Sequence, residues 1–193
     1  MPRNGLSKEK VVEAAAALIE QSGTGDFSMR ALADSLNIKT ASLYNHVQSM
    51  ETLMIEVCTY ALQMQRETEM QAVEGKVGTA AIMALANAYR RFAKEHRQLY
   101  HLITNIAVAC GEQISEIQQC IVEPFLNVLE NTSFTDTEKI HWQRVLRGIV
   151  HGFVSQEDVG FFSHLPAAVD DSFQTAIQCY IDGLEQTEKR KRA

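Results

Sequence analysis

Apolar residues recur along this chain every three or four positions and almost nowhere alternate with polar ones. That spacing marks helices that bury one face, not half-buried strands. The first repeat runs Val11, Ala15, Leu18, Ile19. Ser7 is its N-cap, Leu6 is placed to pack on Val11, and Gly23 and Gly25 end it. A short second helix is predicted after Ser28, turning Leu32, Ala33 and Leu36 inward. A tight turn at Asn37, a residue type that tolerates left-handed backbone, leads to a third helix over about Lys39 to His46. Ser49 caps a fourth, long helix from about Met50 to Glu69, with Leu53, Val57, Tyr60, Ala61 and Met64 along one side.

The rest of the chain repeats the period. Helices are predicted over about Thr79 to Lys94, Arg97 to Val108, and Glu112 to Asn131, the last bent at Pro124, which lacks a backbone donor. Thr135 and Glu138 have capping-box spacing and open a helix through Gln156. Residues 157–168, with Phe161, Phe162 and Pro166, read as a loop before a last helix over about Asp170 to Gln186. The Lys189-Arg190-Lys191-Arg192 end is expected to fray. The fold class is all-α.

Composition narrows this picture. Hydrophobic residues make up 46% of 193, with only three prolines and ten glycines, which suits long helices around a sizeable core. No apolar run reaches the roughly 18 to 20 residues of a membrane span. Met1-Pro2-Arg3-Asn4-Gly5 leads into helix without a signal-peptide core, so the expectation is a soluble, cytoplasmic protein without membrane partners. Cys58, Cys110, Cys120 and Cys179 are scattered and are expected to pack as thiols. None of the histidines His96, His101, His141, His151 and His164 has the spacing of a zinc helix, and no Gly-rich phosphate loop or nucleophile elbow occurs. Neither an enzyme nor a metal or cofactor is expected.

Charge alone does not suggest nucleic acid. The net charge is −6, and over residues 1–47 Arg3, Lys8, Lys10, Arg30 and Lys39 balance Glu9, Glu13, Glu20, Asp26 and Asp34. Any DNA binding must therefore come from placed side chains and helix dipoles. The third helix offers such placement. Leu43 and Val47, four apart, share a face that can pack on Leu32, Leu36 and Ile38. Thr40 with Tyr44, and Ala41 with Asn45, point away, forming a small, hydrogen-bonding surface. Such a face fits the major groove, which admits one helix and is read by donors and acceptors. Asn45 suits an adenine edge and Arg30 a guanine. Tyr44, His46, Ser28 and the amides opening the second and fourth helices suit phosphates. The plain alternative is a solvated surface helix.

The run Leu36-Asn37-Ile38-Lys39-Thr40-Ala41-Ser42-Leu43-Tyr44-Asn45-His46-Val47 resembles the recognition segment of TetR-type regulators. The spacing of Ser28, Leu32, Ala33 and Leu53 matches as well, so the resemblance covers residues 7–57. It implies a three-helix helix-turn-helix head, with Ser28, Arg30, Lys39, Thr40, Ala41, Ser42, Tyr44, Asn45 and His46 as the candidate DNA-binding residues. Two positions depart from the pattern: Asn37 stands where the family usually has Gly, and Met50 where many members place a phosphate-gripping Lys. Farther on, Leu146 to Val154, Phe161-Phe162 and Ser172-Phe173 resemble the sensor domain of the TetR subgroup with a His-Gly pair, over residues 79–186.

The resemblance implies a ligand-responsive regulator, by family default a repressor, that binds a palindromic operator as a homodimer and is released by an unknown small molecule. Residues 1–48 would be the DNA-binding domain, 49–188 the ligand-binding and dimerisation domain, and 189–193 a basic tail. Tyr60, Met64, Tyr89, Phe92, Leu102, Ile106, Phe125, Trp142 and His151 are pocket candidates, although any bundle buries such residues as core. Gly148 and Gly152 would let a partner helix approach, with Leu146, Ile149, Phe153, Phe173, Ile177, Tyr180, Ile181 and Leu184 as the apolar seam of the dimer. Two other functions stay open: a DNA-binding regulator or activator without small-molecule control, and a helical adaptor that binds no DNA.

Overall fold

The computed structural model describes residues 6–106, 114–164 and 166–193, and the side chains of all of these but 106 and 114–120. Among the described residues the chain is helical with no strand. Helix α1 spans Lys8–Ser22. The Ser7 hydroxyl accepts the Lys10 N–H at 3.3 Å, and Gly23, at φ 78°, closes the helix through its N–H to the Ile19 carbonyl at 2.7 Å. Helix α2 is Met29–Ser35, capped by the Ser28 hydroxyl on the Ala31 N–H at 3.1 Å.

Asn37 takes φ 53°, the left-handed conformation expected of the turn. Its N–H donates to the Asp34 carbonyl and that of Ile38 to the Ala33 carbonyl, at 3.1 and 3.0 Å. This pair of bonds is a Schellman motif. Helix α3 is shorter than expected, Thr40–Leu43, but turn bonds from Asn45, His46 and Val47 continue its winding. Helix α4, Met50–Val73, starts where Ser49 caps the Thr52 N–H at 3.0 Å and runs one turn beyond Glu69.

Helices α5 (Gly78–Glu95), α6 (Arg97–Ile106), α7 (Ile114–Val128, with Pro124 inside), α8 (Asp136–Asp158) and α9 (Val169–Arg192) follow. The expected ends of α6 at Val108 and of α7 at Glu112 lie outside the described residues. The Thr135–Glu138 capping box is complete, both partners donating and accepting. The segment between α8 and α9 contains a 3-10 turn, Phe161–His164. The basic end of the chain does not fray. Helix α9 runs through it because Lys191 pairs with Glu138 of α8, Arg192 pairs with Glu188 at 2.7 Å, and Lys189 reaches Glu185 at 3.8 Å. Contact with Lys191 and the Thr135 N–H hold the Glu138 carboxyl down at about 2.

The chain forms two compact units, residues 1–64 with 95–117, and residues 65–94 with 118–193. In the first, Val11, Ala15, Ile19, Leu32, Ala33, Leu43, Leu53 and Val57 are fully enclosed. The Glu20 carboxylate accepts the backbone N–H groups of Gln98 and Leu99, both at 3.2 Å, so a side chain of α1 caps the start of α6. In the second, Phe92, Leu129, Val150, Phe173, Ile177 and Ile181 form the centre. Arg90 of α5 ties three helices of this unit together. It pairs with Glu157 of α8 and, at 2.8 Å, with Asp170 of α9, and lies 4.5 Å over the Phe173 ring. Arg66 and Glu123 add a two-pronged pair between α4 and α7 at 2.7 and 2.8 Å. Among the described residues no helix is long and apolar enough to cross a membrane.

Left-handed backbone at Asn37 costs an ordinary L-residue about 1–2 kcal/mol, and Asn somewhat less. Asn37→Ala is therefore expected to lower stability by about 1 kcal/mol, whereas Asn37→Gly should be neutral or slightly stabilising. Urea unfolding of the two variants measures this directly.

Candidate nucleic-acid interface and interior cavity

Helix α3 is held by its apolar side. Leu43 is fully buried and Val47 nearly so, packed with α2 in the core of the first unit. The opposite side is open: Lys39, Ala41, Tyr44 and Asn45 are exposed, Tyr44 at 54%, and Thr40, Ser42 and His46 are half-buried. Ser28 and Arg30 at the start of α2 are exposed as well. The nine residues thus lie on two short adjoining helices and the turn after them, and none is enclosed. The Arg30 guanidinium lies 3.9 Å from Asp34, and both side chains are well solvated, so this pair contributes little and leaves the guanidinium ready for another partner.

The residues suggested for a pocket are divided between the two units. Tyr89 and Phe125 line a small cavity in the second unit, together with Leu85, Ile121 and Leu146. Its polar wall is Gln65 and Glu69 of α4 and Gln143 and Arg147 of α8. Phe92 is enclosed in the core of that unit. Tyr60 instead borders an open recess of the first unit with Lys8, Glu13 and Glu56; Met64 and Leu102 also belong to that unit. Trp142 packs edge-on against Tyr180, whose hydroxyl donates to the Trp142 carbonyl at 3.0 Å, so this ring belongs to the α8–α9 contact. His151 is exposed and lines no part of the cavity. The side chain of Ile106 lies outside the described residues.

The cavity measures about 20 Å³, room for roughly one water. Its polar residues were missed in the sequence, although Gln65 and Glu69 continue the apolar stripe of Leu53, Val57 and Ala61 at helical spacing. Glu69 is 5% exposed. Gln65 donates to its carboxylate at 2.7 Å. Burial pushes the Glu69 carboxyl up to about 7, against the opposing pull of the Gln65 amide and the Arg147 charge.

Most residues of the apolar seam expected for a dimer are already covered within the single chain. Leu146, Phe173, Ile177, Tyr180, Ile181 and Leu184 are buried within the chain, so they form its core and present nothing to a partner. Phe153 is half-buried between the Phe162 and Phe173 rings. Gly148 and Gly152 differ: both are exposed, and a methyl group at either would meet nothing within 4 Å. Val145, 50% exposed, shares their side of α8, and Cys179 is exposed on α9, whereas Cys58 is buried as expected. Cys110 and Cys120 lie outside the residues whose side chains are described.

Two family models match the chain. One, for bacterial regulatory proteins of the tetR family, matches residues 11–57, and the other, for the Tetracyclin repressor-like C-terminal domain, matches residues 82–180. The chain is 31% identical over 153 residues to the HTH-type transcriptional regulator YobS of Bacillus subtilis, spanning 79% of each protein. It is similar in structure to a protein of unknown function from Rhodococcus sp. RHA1, with TM-score 0.76, 21% identity and coverage of 95% of this chain and 98% of that one. It is also similar to a TetR variant from Acinetobacter baumannii AYE in complex with minocycline, with TM-score 0.71, 20% identity and coverage of 95% and 99%.

The buried carboxyl of Glu69 leaves a mark on stability. Its folded value, about 7, lies above the ordinary carboxylate range. Between the two values the unfolded chain ionises while the native state keeps the proton, so stability falls as pH rises through this window. Glu69→Gln is expected to remove the loss. It should match the parent near pH 4 and exceed it by about 1–3 kcal/mol at pH 8, read from denaturant melts across pH.

Proposed function

The chain belongs to the TetR family of transcriptional regulators, and from that premise we propose that it is a homodimeric repressor, cytoplasmic and non-catalytic, released from a palindromic operator by a small molecule. Residues 1–48 are the DNA-binding domain, residues 49–188 carry effector binding and dimerisation, and 189–193 are the basic end of α9. The observation that carries the reading is the outward set of Thr40, Ala41, Tyr44 and Asn45 over the buried Leu43 and Val47. Asn45 reads an adenine edge, and Arg30, once it leaves Asp34, reads a guanine. Tyr44, His46, Ser28 and Lys39 hold phosphates and set the register.

Two half-sites about a helical turn apart need two heads, hence a dimer. The exposed side of α8 around Val145, Gly148 and Gly152 supports pairing there, because the glycines let a second helix come close and valine supplies apolar area. The effector site is the cavity beside Glu69 and Phe125. The TetR variant with minocycline bound supports a small organic molecule as the class of effector. Because α4 is continuous from Met50 to Val73, a shift at Glu69 moves the helix that follows the DNA-reading segment. The effector changes DNA affinity only by its differential binding to the two arrangements.

Selection of bound sequences from random duplexes is expected to return a palindrome. Asn45→Ala should then relax one base position in each half-site and cost about 1–3 kcal/mol, whereas Tyr44→Phe should weaken all sequences alike. Recovery of no sequence above the random pool would leave the helical-adaptor reading in its place.

A further inference from the structure

The cavity of the second unit is bordered by two polar side chains, Glu69 and Gln143, that make few polar contacts within the described residues. Glu69 is buried with an amide as its hydrogen-bonding neighbour, and among the described residues it forms no ion pair. Gln143, 7% exposed, borders the same cavity, and its side-chain amide makes no hydrogen bond among the described residues. Buried charges are ordinarily paired and buried amides hydrogen-bonded. A carboxyl without an ion pair, with Arg147 as a more distant charge, and an amide without a hydrogen bond to a described side chain therefore face one space.

A single chemical group meets both needs. A protonated amine donates to the Glu69 carboxylate and to the Gln143 carbonyl oxygen while balancing the buried charge. The remaining wall, Leu85, Tyr89 and Phe125, takes an apolar body, and an aromatic ring beside a cation adds attraction. Resting on the reading of this cavity as the effector site, we infer that the effector is a small amphiphilic amine, with Glu69 as its counter-ion and Gln143 as its second acceptor.

The charged and titratable groups bordering the cavity are few. Among the described residues Arg147 comes from α8, Tyr89 from α5, and α7 contributes Ile121 and Phe125. Arg147 is half-buried and forms no ion pair with Glu69. An acid in this space would lie beside Glu69 with Arg147 as its only cation, and would bind best where Glu69 keeps its proton. An amine binds best where Glu69 has lost it. The two ligand classes therefore have opposite pH dependence.

Three probes of one shape separate them: naphthylethylamine, naphthylethanol and naphthylacetic acid, titrated into the full-length protein by calorimetry. The amine is expected to bind at least about tenfold tighter than the alcohol at pH 8 and to lose about tenfold on going to pH 6, as Glu69 takes up its proton. Glu69→Gln should abolish both the preference and the pH dependence while the alcohol binds as before. Gln143→Leu should weaken the amine more than the alcohol. Tighter binding of the acid, or an amine preference that survives Glu69→Gln, overturns the amine inference and leaves the cavity reading standing. Leu85→Trp fills the cavity and should block all three. Binding that ignores Leu85→Trp, or no binding of any probe, sinks the cavity reading and the amine with it.

Discussion

Burial of Leu43 and Val47 is the constraint on which the DNA-facing surface depends. A helix of four residues has almost no stability of its own, since its few bonds barely offset the cost of nucleation. What fixes α3 is its anchor in the core of the first unit, where each enclosed aliphatic side chain contributes about 1.5–3 kcal/mol. Once those two side chains are seated, the helical period leaves Thr40, Ala41, Tyr44 and Asn45 no place but outside. The left-handed turn at Asn37 sets the approach angle, and the Ser28 cap fixes the start of the preceding helix. Stability and recognition therefore fall on different residues four positions apart. The outer set is free to vary with the operator without loosening the fold.

This division also explains how a head with balanced charge can serve nucleic acid. Residues 1–47 carry as many acids as bases, so attraction to the phosphate backbone is weak and specificity must come from fit. The Arg30–Asp34 pair is long and solvated, and moving the guanidinium from carboxylate to base costs little. A DNA-binding head with balanced charge has a shallower salt dependence than a basic one.

Periodicity reports which face of a helix is buried, but not what covers it, and that limit separates what the sequence disclosed from what it hid. Leu43 and Val47 were legible because the cover, α2, lies next in the chain. The apolar side of α9, at Phe173, Ile177 and Ile181, was equally plain as a buried face, yet its cover is the chain's own core and not a second subunit. The basic end of α9 looked like a fraying tail because its anchor, Glu138, lies on α8, 53 positions away, beyond the reach of local pattern. The cavity residues were hidden for a different reason. Gln65, Glu69 and Gln143 interrupt apolar faces, and such interruptions, more than aromatic residues at helical spacing, are what mark a site inside a bundle.

If this cavity is the effector site proposed above, its room for about one water means that a ligand must part its walls. Parting them is favourable only if the open arrangement gains more from the ligand than the closed one loses in packing. The chain keeps the loss small by leaving Glu69 and Gln143 poorly matched in the closed arrangement, which therefore carries the desolvation cost of a buried carboxyl. Among the described residues none relieves that cost with an ion pair to Glu69. Both groups sit on long helices, Glu69 four residues from the end of α4 and Gln143 in the first half of α8. Displacing them moves whole helices, because close-packed cores shift between discrete arrangements and do not deform by degrees. On that proposed reading, the same mismatch that weakens the resting cavity would give a small molecule its leverage on α4, which runs back to Met50.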